Sequence, residues 1–328
     1  MKYLLVINPA SGPKNNPEKT ERDIVAQIRA SGHSVTAVRT EAQGDGARLA
    51  SDALLQDYDV VIACGGDGTV NEIGKALLGS EMPLGIIPTG SGNGLARELC
   101  IPMAVDKAVE VLLRDERTRI DTCTCNGEPF FITCGIGFDG KVTRAFSKAE
   151  GRGISNYIGE SVSTFLNYDS GHYRVTIDGA PRDVKAFLVA VGNASQYGNN
   201  AYIAPHASMD DGLLDVTIIK DFPKDEGGLV AFQLFSKELG ENKYTELYQG
   251  RDIAITASRP MLYHIDGEPR PSTEELLVKV IPDNLTVIAG RETDREKNIF
   301  DFFREISAGF QKLDDDIKAF FNPRPREE

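Results

Sequence analysis

The chain has 328 residues and a formal charge of −13, from 49 acidic and 36 basic side chains. That field repels a polyanion, which excludes nucleic acid as the main partner and disfavours general adhesion to an anionic membrane. With 41% apolar and 26% charged residues the composition excludes wholesale disorder, and no apolar run has the length of a membrane span.

From the N-terminus, short apolar runs alternate with amphipathic stretches. Strands are predicted at Tyr3–Asn8, Ser34–Arg39, Asp59–Cys64 and Leu84–Ile87. Helices are predicted at Glu18–Ala30, Gly46–Gln56, Val70–Leu78 and Val105–Leu113. The first run is too short for a signal peptide and reads as a strand. Leu4–Ile7 and Val60–Cys64 are apolar throughout, as strands covered on both faces are. Such alternation, with short connections, predicts a doubly wound parallel sheet.

Beyond about residue 118 the texture changes. Strand-like runs follow one another at Thr118–Cys125, Phe130–Gly135, His172–Ile177, Val184–Val191, Leu213–Ile219, Asp252–Thr256, Met261–Ile265, Leu276–Val280 and Leu285–Ala289. Helical patterns interrupt them only near Ser155–Asn167 and Glu226–Leu239. Many strands with few helices predict a β-sandwich or barrel. The expected organisation is α/β + β: an α/β domain at 1–118, a β-rich domain at 119–290 and a tail at 291–328. In the tail, Ile299, Phe303, Ile306, Phe310, Leu313, Ile317 and Phe320 form a helical stripe with alternating four- and three-residue steps. It could pack on the body, pair with a second copy or lie on a membrane. Five cysteines with no C-x-x-C pair suggest reduced thiols and a cytoplasmic location.

The strongest local signal is Cys64-Gly65-Gly66-Asp67-Gly68-Thr69-Val70-Asn71-Glu72, which follows one strand and opens a helix. Strand ends that feed helix N-termini bind ligands, and free amides there face an anion. Thr69 is a plausible N-cap. Asp67 is either a turn residue or a Mg²⁺ ligand, because a bare carboxylate repels phosphate. A second glycine-rich turn, Pro88–Arg97, follows the next strand, with Ser91 placed to cap a helix or to donate to phosphate. The third, Asn8-Pro9-Ala10-Ser11-Gly12-Pro13-Lys14, stands where a dinucleotide fingerprint would, yet neither that pattern nor a Walker A sequence is present. Thr40 falls at the same sheet edge, within reach of a ribose or base.

In the second half, Asp210, Asp211 and Asp215 surround a turn that is either solvated or a Mg²⁺ or Ca²⁺ loop. Asp266-Gly267-Glu268 reads as a hairpin turn or as a catalytic pair. In the second reading Glu268 is a general base and Asp266 raises its proton affinity. The four histidines lack metal spacing and read as structural; His264 stands nearest to Glu268. No nucleophile elbow is present.

Taken in order, Asn8-Pro9-x-Ser11-Gly12, Gly65–Glu72, Pro88-x-Gly90-Ser91-Gly92-Asn93-x-Leu95-Ala96-Arg97, Gly192-Asn193, Tyr197-Gly198, Ala204-Pro205-x-Ala207, Asp211-Gly212-x-Leu214-Asp215 and Asp266–Glu268 resemble the diacylglycerol kinase catalytic family. The likeness is to its bacterial soluble lipid-kinase branch, related to sphingosine and ceramide kinases, and runs over about residues 3–290. The Gly-Gly-Asp-Gly-Thr run alone is shared with NAD kinases. The resemblance implies an ATP-binding α/β domain, a β-sandwich-like lipid-binding domain and a chain end returning to the first domain. By motif position, Asn8, Pro9, Ala10, Ser11, Gly12, Thr40, Gly65, Gly66, Asp67, Gly68, Thr69, Val70, Asn71 and Ser91 would contact ATP. Asp67 would help hold the catalytic Mg²⁺–ATP. Asp211, with the carbonyls of Ser208 and Leu213, would hold a structural Mg²⁺, and Glu268 would accept the hydroxyl proton of the lipid.

The implied activity is ATP-dependent phosphorylation of a lipid alcohol, foremost diacylglycerol to phosphatidic acid. Two departures leave the acceptor open. Asn199-Asn200 stand where many bacterial members carry a glycine run, and Ser91-Gly92-Asn93 is nearer the sphingosine-kinase style. A sphingoid-base kinase is the alternative enzyme; a nucleotide-gated lipid-binding protein without turnover is the alternative class. The expected partners are a lipid alcohol and, transiently, a membrane surface, with a homodimer left open.

Overall fold

A computed structural model describes residues 1–11, 17–148 and 168–295. In the first half, β1 (Lys2–Ile7), β2 (Ser34–Arg39), β3 (Val60–Gly65) and β4 (Leu84–Pro88) pair in parallel in the order β2-β1-β3-β4. All of β3 and β4 is buried, as their unbroken apolar runs require. Two helix pairs cover this sheet: α1 (Pro17–Ala30) packs with α5 (Val105–Arg114), and α2 (Asp45–Ala53) with α3 (Asp67–Leu77). Leu5, Ile62, Ile73, Leu77 and Leu84 are completely enclosed, each stabilising the fold by about 2 kcal/mol. A short α4 (Gly94–Glu98) follows β4.

The second half is antiparallel. It contains β5 (Arg117–Cys125), β6 (Glu128–Phe130), β7 (Thr133–Gly137), β8 (Gly171–Ile177), β9 (Ala180–Gly192), β10 (Leu214–Lys220), β11 (Thr245–Gly250), β12 (Asp252–Ile265) and β13 (Glu268–Ile288). Among the described residues two α-helices accompany them, α6 (Phe138–Lys148) and α7 (Gly227–Ser236). Its own core gathers Val189, Val216, Ile253, Leu276 and Val278.

Three expectations change. First, the predicted pairs Asp252–Thr256 with Met261–Ile265, and Leu276–Val280 with Leu285–Ala289, are single long strands, β12 and β13. Arg259-Pro260 and Pro282-Asp283-Asn284 read as breaks, but in the fold each lies at a register shift inside a strand. Second, the halves are not separate sheets. The path β11-β10-β9-β7-β12-β13-β4-β3-β1-β2 is continuous, with β13 meeting β4 in parallel at Val287↔Leu84. Leu285, Val287 and Ile288 accordingly sit in the core of the first half. Third, the return of the chain end begins as strand and turn. Gly290 N–H donates to Leu99 O at 2.8 Å, Arg291 pairs with Glu116 and Asp294 with Arg114. Among the described residues of the tail, Glu292–Asp294 form a single 3₁₀ turn. The predicted stripe from Ile299 to Phe320 and the predicted helix Ser155–Asn167 lie outside the described residues.

Candidate functional site

Because β1, β3 and β4 are neighbours, the loops at their C-terminal ends gather on one edge. There the two glycine-rich turns touch backbone to backbone: a Cβ on Gly90 would lie 2.5 Å from the Gly66 Cα. No side chain fits between them. Asn8 ties the first strand's loop to this pair, donating N–H to Cys64 O at 2.9 Å and Nδ2–H to Thr69 Oγ1 at 3.0 Å. Ala10 N–H returns to Asn8 Oδ1 at 3.0 Å, closing the turn through Pro9, and Thr89 Oγ1 donates to Ser11 Oγ at 3.2 Å. A cavity of about 300 Å³ opens here, lined by Asn8, Ser11 and Ser91 together with Cys64, Thr89 and Arg97. Burial pushes the Cys64 thiol up to about 12, so it is no nucleophile.

The other described residues predicted to contact nucleotide do not line that cavity. Thr40 is placed one strand across, its N–H on Ile7 O at 2.9 Å. Gly65 ends β3, and Gly68, Thr69, Val70 and Asn71 form the first turns of α3. Gly12 is outside the described residues. Two capping expectations are corrected. The N-cap of α3 is Gly66, so Thr69 lies inside the helix; the N-cap of α4 is Asn93, so Ser91 precedes it.

Asp67 explains the second correction. Its Oδ2 accepts Asn93 N–H at 2.9 Å and its Oδ1 accepts Gly94 N–H at 2.7 Å. The carboxylate at the head of α3 therefore satisfies the opening amides of α4 and locks the two turns together. A carboxylate has about four acceptor sites, so lone pairs remain for a hard cation such as Mg²⁺. We expect Asp67→Ala to lower kcat by at least about 10² and stability by about 1–3 kcal/mol. Steady-state turnover and thermal melting measure the two effects; wild-type values for both would defeat the assignment.

From the other half, the β12–β13 hairpin reaches this edge. Its two-residue turn has Asp266 at φ 47° and Gly267 at φ 77°, both left-handed, as a tight hairpin with matched twist needs. The Asp266 carboxylate turns inward and accepts four N–H groups. These come from Phe131 (3.0 Å), Ile132 (2.9 Å) and Thr133 (3.1 Å) of the backbone, and from Asn71 Nδ2 on α3 at 2.6 Å. Burial pushes this carboxyl above the usual range while the four donors pull it back. The reading of Asp266 as a partner of Glu268 is thus corrected: its oxygens are engaged in holding the hairpin to α3 and to the segment that enters β7.

Glu268 points outward, its side chain 57% exposed, with Oε2 accepting from Arg270 at 3.1 Å. Arg270 also donates to Glu128 at 2.7 Å, and Glu128 takes Lys75 of α3 at 3.1 Å. The Arg270 hydrogen bond, foremost, holds the Glu128 carboxyl down at about 2. This bridge therefore contributes above the ordinary carboxylate value of 4.5 and is lost as pH falls toward about 2. Lys75, Glu128 and Arg270 have no mutual spacing in the sequence, so sequence reading missed them.

The predicted metal residues share one loop. Asp211 Oδ1 accepts Leu213 N–H at 2.9 Å, and Ser208 Oγ donates to Asp210. Behind the loop, buried Asp121 accepts Gly212 N–H at 2.6 Å and Asp283 N–H at 2.9 Å. Asp121 is a further residue that sequence reading missed. Burial, with the charge of Asp211 adding to it, raises the Asp215 carboxyl. Among the described residues no three His, Cys, Asp or Glu side chains gather as a metal centre. A cation here would rest on one carboxylate and backbone carbonyls, all hard oxygens that fit Mg²⁺.

A parallel sheet with a cavity beside its glycine turns is thus joined to a β-rich half whose hairpin carries Glu268. The family model of the diacylglycerol kinase catalytic domain matches residues 2–125. That of the YegS C-terminal NAD kinase beta sandwich-like domain matches residues 133–289. A Chromohalobacter salexigens protein named as a probable YegS-like lipid kinase is 32% identical over 76% of this chain and 82% of its own. A Staphylococcus haemolyticus diacylglycerol kinase is 28% identical over 80% and 81%. A solved Bacillus anthracis structure, assigned as a diacylglycerol kinase, superposes with TM-score 0.74 at 27% identity, covering 88% of this chain and 95% of that one. The chain belongs to the diacylglycerol kinase-like lipid kinase family and is a kinase.

Proposed function

We propose that this kinase transfers the γ-phosphoryl group of ATP to the hydroxyl of a lipid alcohol, diacylglycerol foremost, giving phosphatidic acid. The observation that carries the reading is the 2.6 Å bond from Asn71 to Asp266, which brings the Glu268 hairpin to the head of α3. Phosphoryl transfer asks for positioning and charge neutralisation more than for covalent chemistry. The glycine-turn amides beside Asn8, Ser11 and Ser91 would bind the triphosphate, and Glu268 would take the proton of the attacking hydroxyl. Mg²⁺, held with the help of Asp67, would supply charge neutralisation at the phosphates. Among the described residues no helix is long and apolar enough to cross a membrane; the lipid would be taken at a membrane surface during transient contact.

Full-length protein with labelled ATP and Mg²⁺, presented with diacylglycerol, a sphingoid base and ceramide in mixed micelles and with NAD in solution, tests this. Label in phosphatidic acid above every other product is expected. Label in sphingoid-base phosphate or in NADP instead, or nucleotide binding without any labelled product, would overturn it. At the Asp211 loop, the wild type should melt at a higher temperature with Mg²⁺ than with chelator. Asp211→Ala should abolish that difference, and equal curves for the wild type would remove the metal from this loop.

A further inference from the structure

The geometry points to the buried pair His264 and Asp139, with half-buried Tyr197, as a positioning group that sets the turn before Glu268, and so the place from which Glu268 acts. The inference rests on the proposed role of Glu268.

His264 is the penultimate residue of β12, with a side chain 1% exposed. Gly267 N–H donates to its Nδ1 at 3.3 Å. An accepting Nδ1 carries no proton, so the proton of the neutral ring belongs on Nε2. That nitrogen lies 2.9 Å from Asp139 Oδ2 but off the line of an aligned hydrogen bond. The carboxylate thus faces the Nε2–H edge of the ring, and Tyr197 Oη–H donates to the same oxygen at 2.5 Å.

The room for this arrangement is built in. Gly135 on β7 pairs with His264 across the ladder. A Cβ there would lie 2.3 Å from Asp139 Oδ2 and 3.1 Å from His264 Nε2. Asp139 itself stands at the start of α6, where the helix N-terminus favours a negative charge.

Tyr197 extends the group to the parallel half, at the second glycine-rich turn. A Cβ on Gly94 would lie 2.9 Å from Tyr197 O, so this loop rests directly on the turn that Asp67 clasps. Contacts therefore run from Asp67 through Gly94, Tyr197, Asp139 and His264 to the Gly267 amide. The Asn71–Asp266 bond holds the hairpin from the other side. Asp266 is fixed by four donors and Gly267 by the imidazole, which leaves the Glu268 side chain as the movable part of the turn.

Two substitutions separate this role from mere packing. His264→Asn keeps an acceptor near the place of Nδ1, whereas His264→Phe fills the volume without one. For His264→Phe we expect kcat to fall about 10- to 100-fold, the cost of misplacing a reacting group by a fraction of an ångström, with the KM for ATP unchanged. Hydrogen exchange of the peptide containing Gly267 should quicken in the same variant. His264→Asn should restore both, and Tyr197→Phe should lower kcat without changing the KM for ATP. Wild-type kcat or wild-type exchange in folded His264→Phe, or His264→Asn as impaired as His264→Phe, would overturn the inference. Should His264→Phe fail to fold, wild-type kcat in Tyr197→Phe would do so. Undiminished turnover in Glu268→Gln would instead overturn the proposed role of Glu268, and the exchange measurement would still judge the turn.

Discussion

Glu268→Gln is expected to lower kcat by about 10² to 10⁴, the range for removing a general base. Glutamine has nearly the shape of glutamate and still offers an oxygen to Arg270, so the hairpin register and the Arg270–Glu128–Lys75 bridge survive. What disappears is the capacity to hold a proton. The side chain is mostly solvent-exposed, so the melting temperature should move little. The KM for ATP should likewise stay put, because the proposed nucleotide contacts belong to the other half. Turnover within about threefold of wild type, far short of a base's contribution, would show that another group accepts the proton.

Asp266→Ala should have the largest effect on stability. Removing the carboxylate leaves the amides of Phe131, Ile132 and Thr133 and the Asn71 side chain without their acceptor. Each buried unsatisfied donor costs about 1–3 kcal/mol. With partial relaxation a total loss of about 3 kcal/mol or more follows from the same range, seen as a lowered melting temperature. Activity should fall too, since the hairpin loses its tie to α3. Asn71→Ala removes one donor only and should cost about 1 kcal/mol. In the double variant the two losses should add to less than their sum, because both remove the same bond. Strict additivity would mean that the pair does not couple the halves in solution.

How much of this was legible in the sequence follows from distance along the chain. The parallel sheet was readable because its strands are unbroken apolar runs and its loops are glycine-rich, both local signals. The bulges at Arg259-Pro260 and Pro282–Asn284 misled, since turn residues mark a bulge and a chain reversal alike. Helix α6 was missed because Gly140 stands in its first turn. In the fold a Cβ there would meet Leu262 O at 2.3 Å, so glycine answers a close approach to β12 rather than a helix end. The site was legible as separate turns. Its assembly was not: Asn71 and Asp266 are 195 residues apart, and nothing local marks them as partners. The same holds for Asp139, Tyr197 and His264, which no local signal marks as partners until the fold brings them together.

Strand β13 carries a mechanical consequence. It is hydrogen-bonded to β12 and β5 and bridges to β4, so one ribbon of main chain runs from the antiparallel half of the sheet into its parallel half. A hinge between two free lobes would have to bend that ribbon and break its bridge to β4 at Val287↔Leu84. Opening for substrate by a change in sheet torsion, or by the loops at its rim, would leave that bridge intact. Arrival of nucleotide at the ends of β3 and β4 would reach the hairpin as strain along a shared backbone.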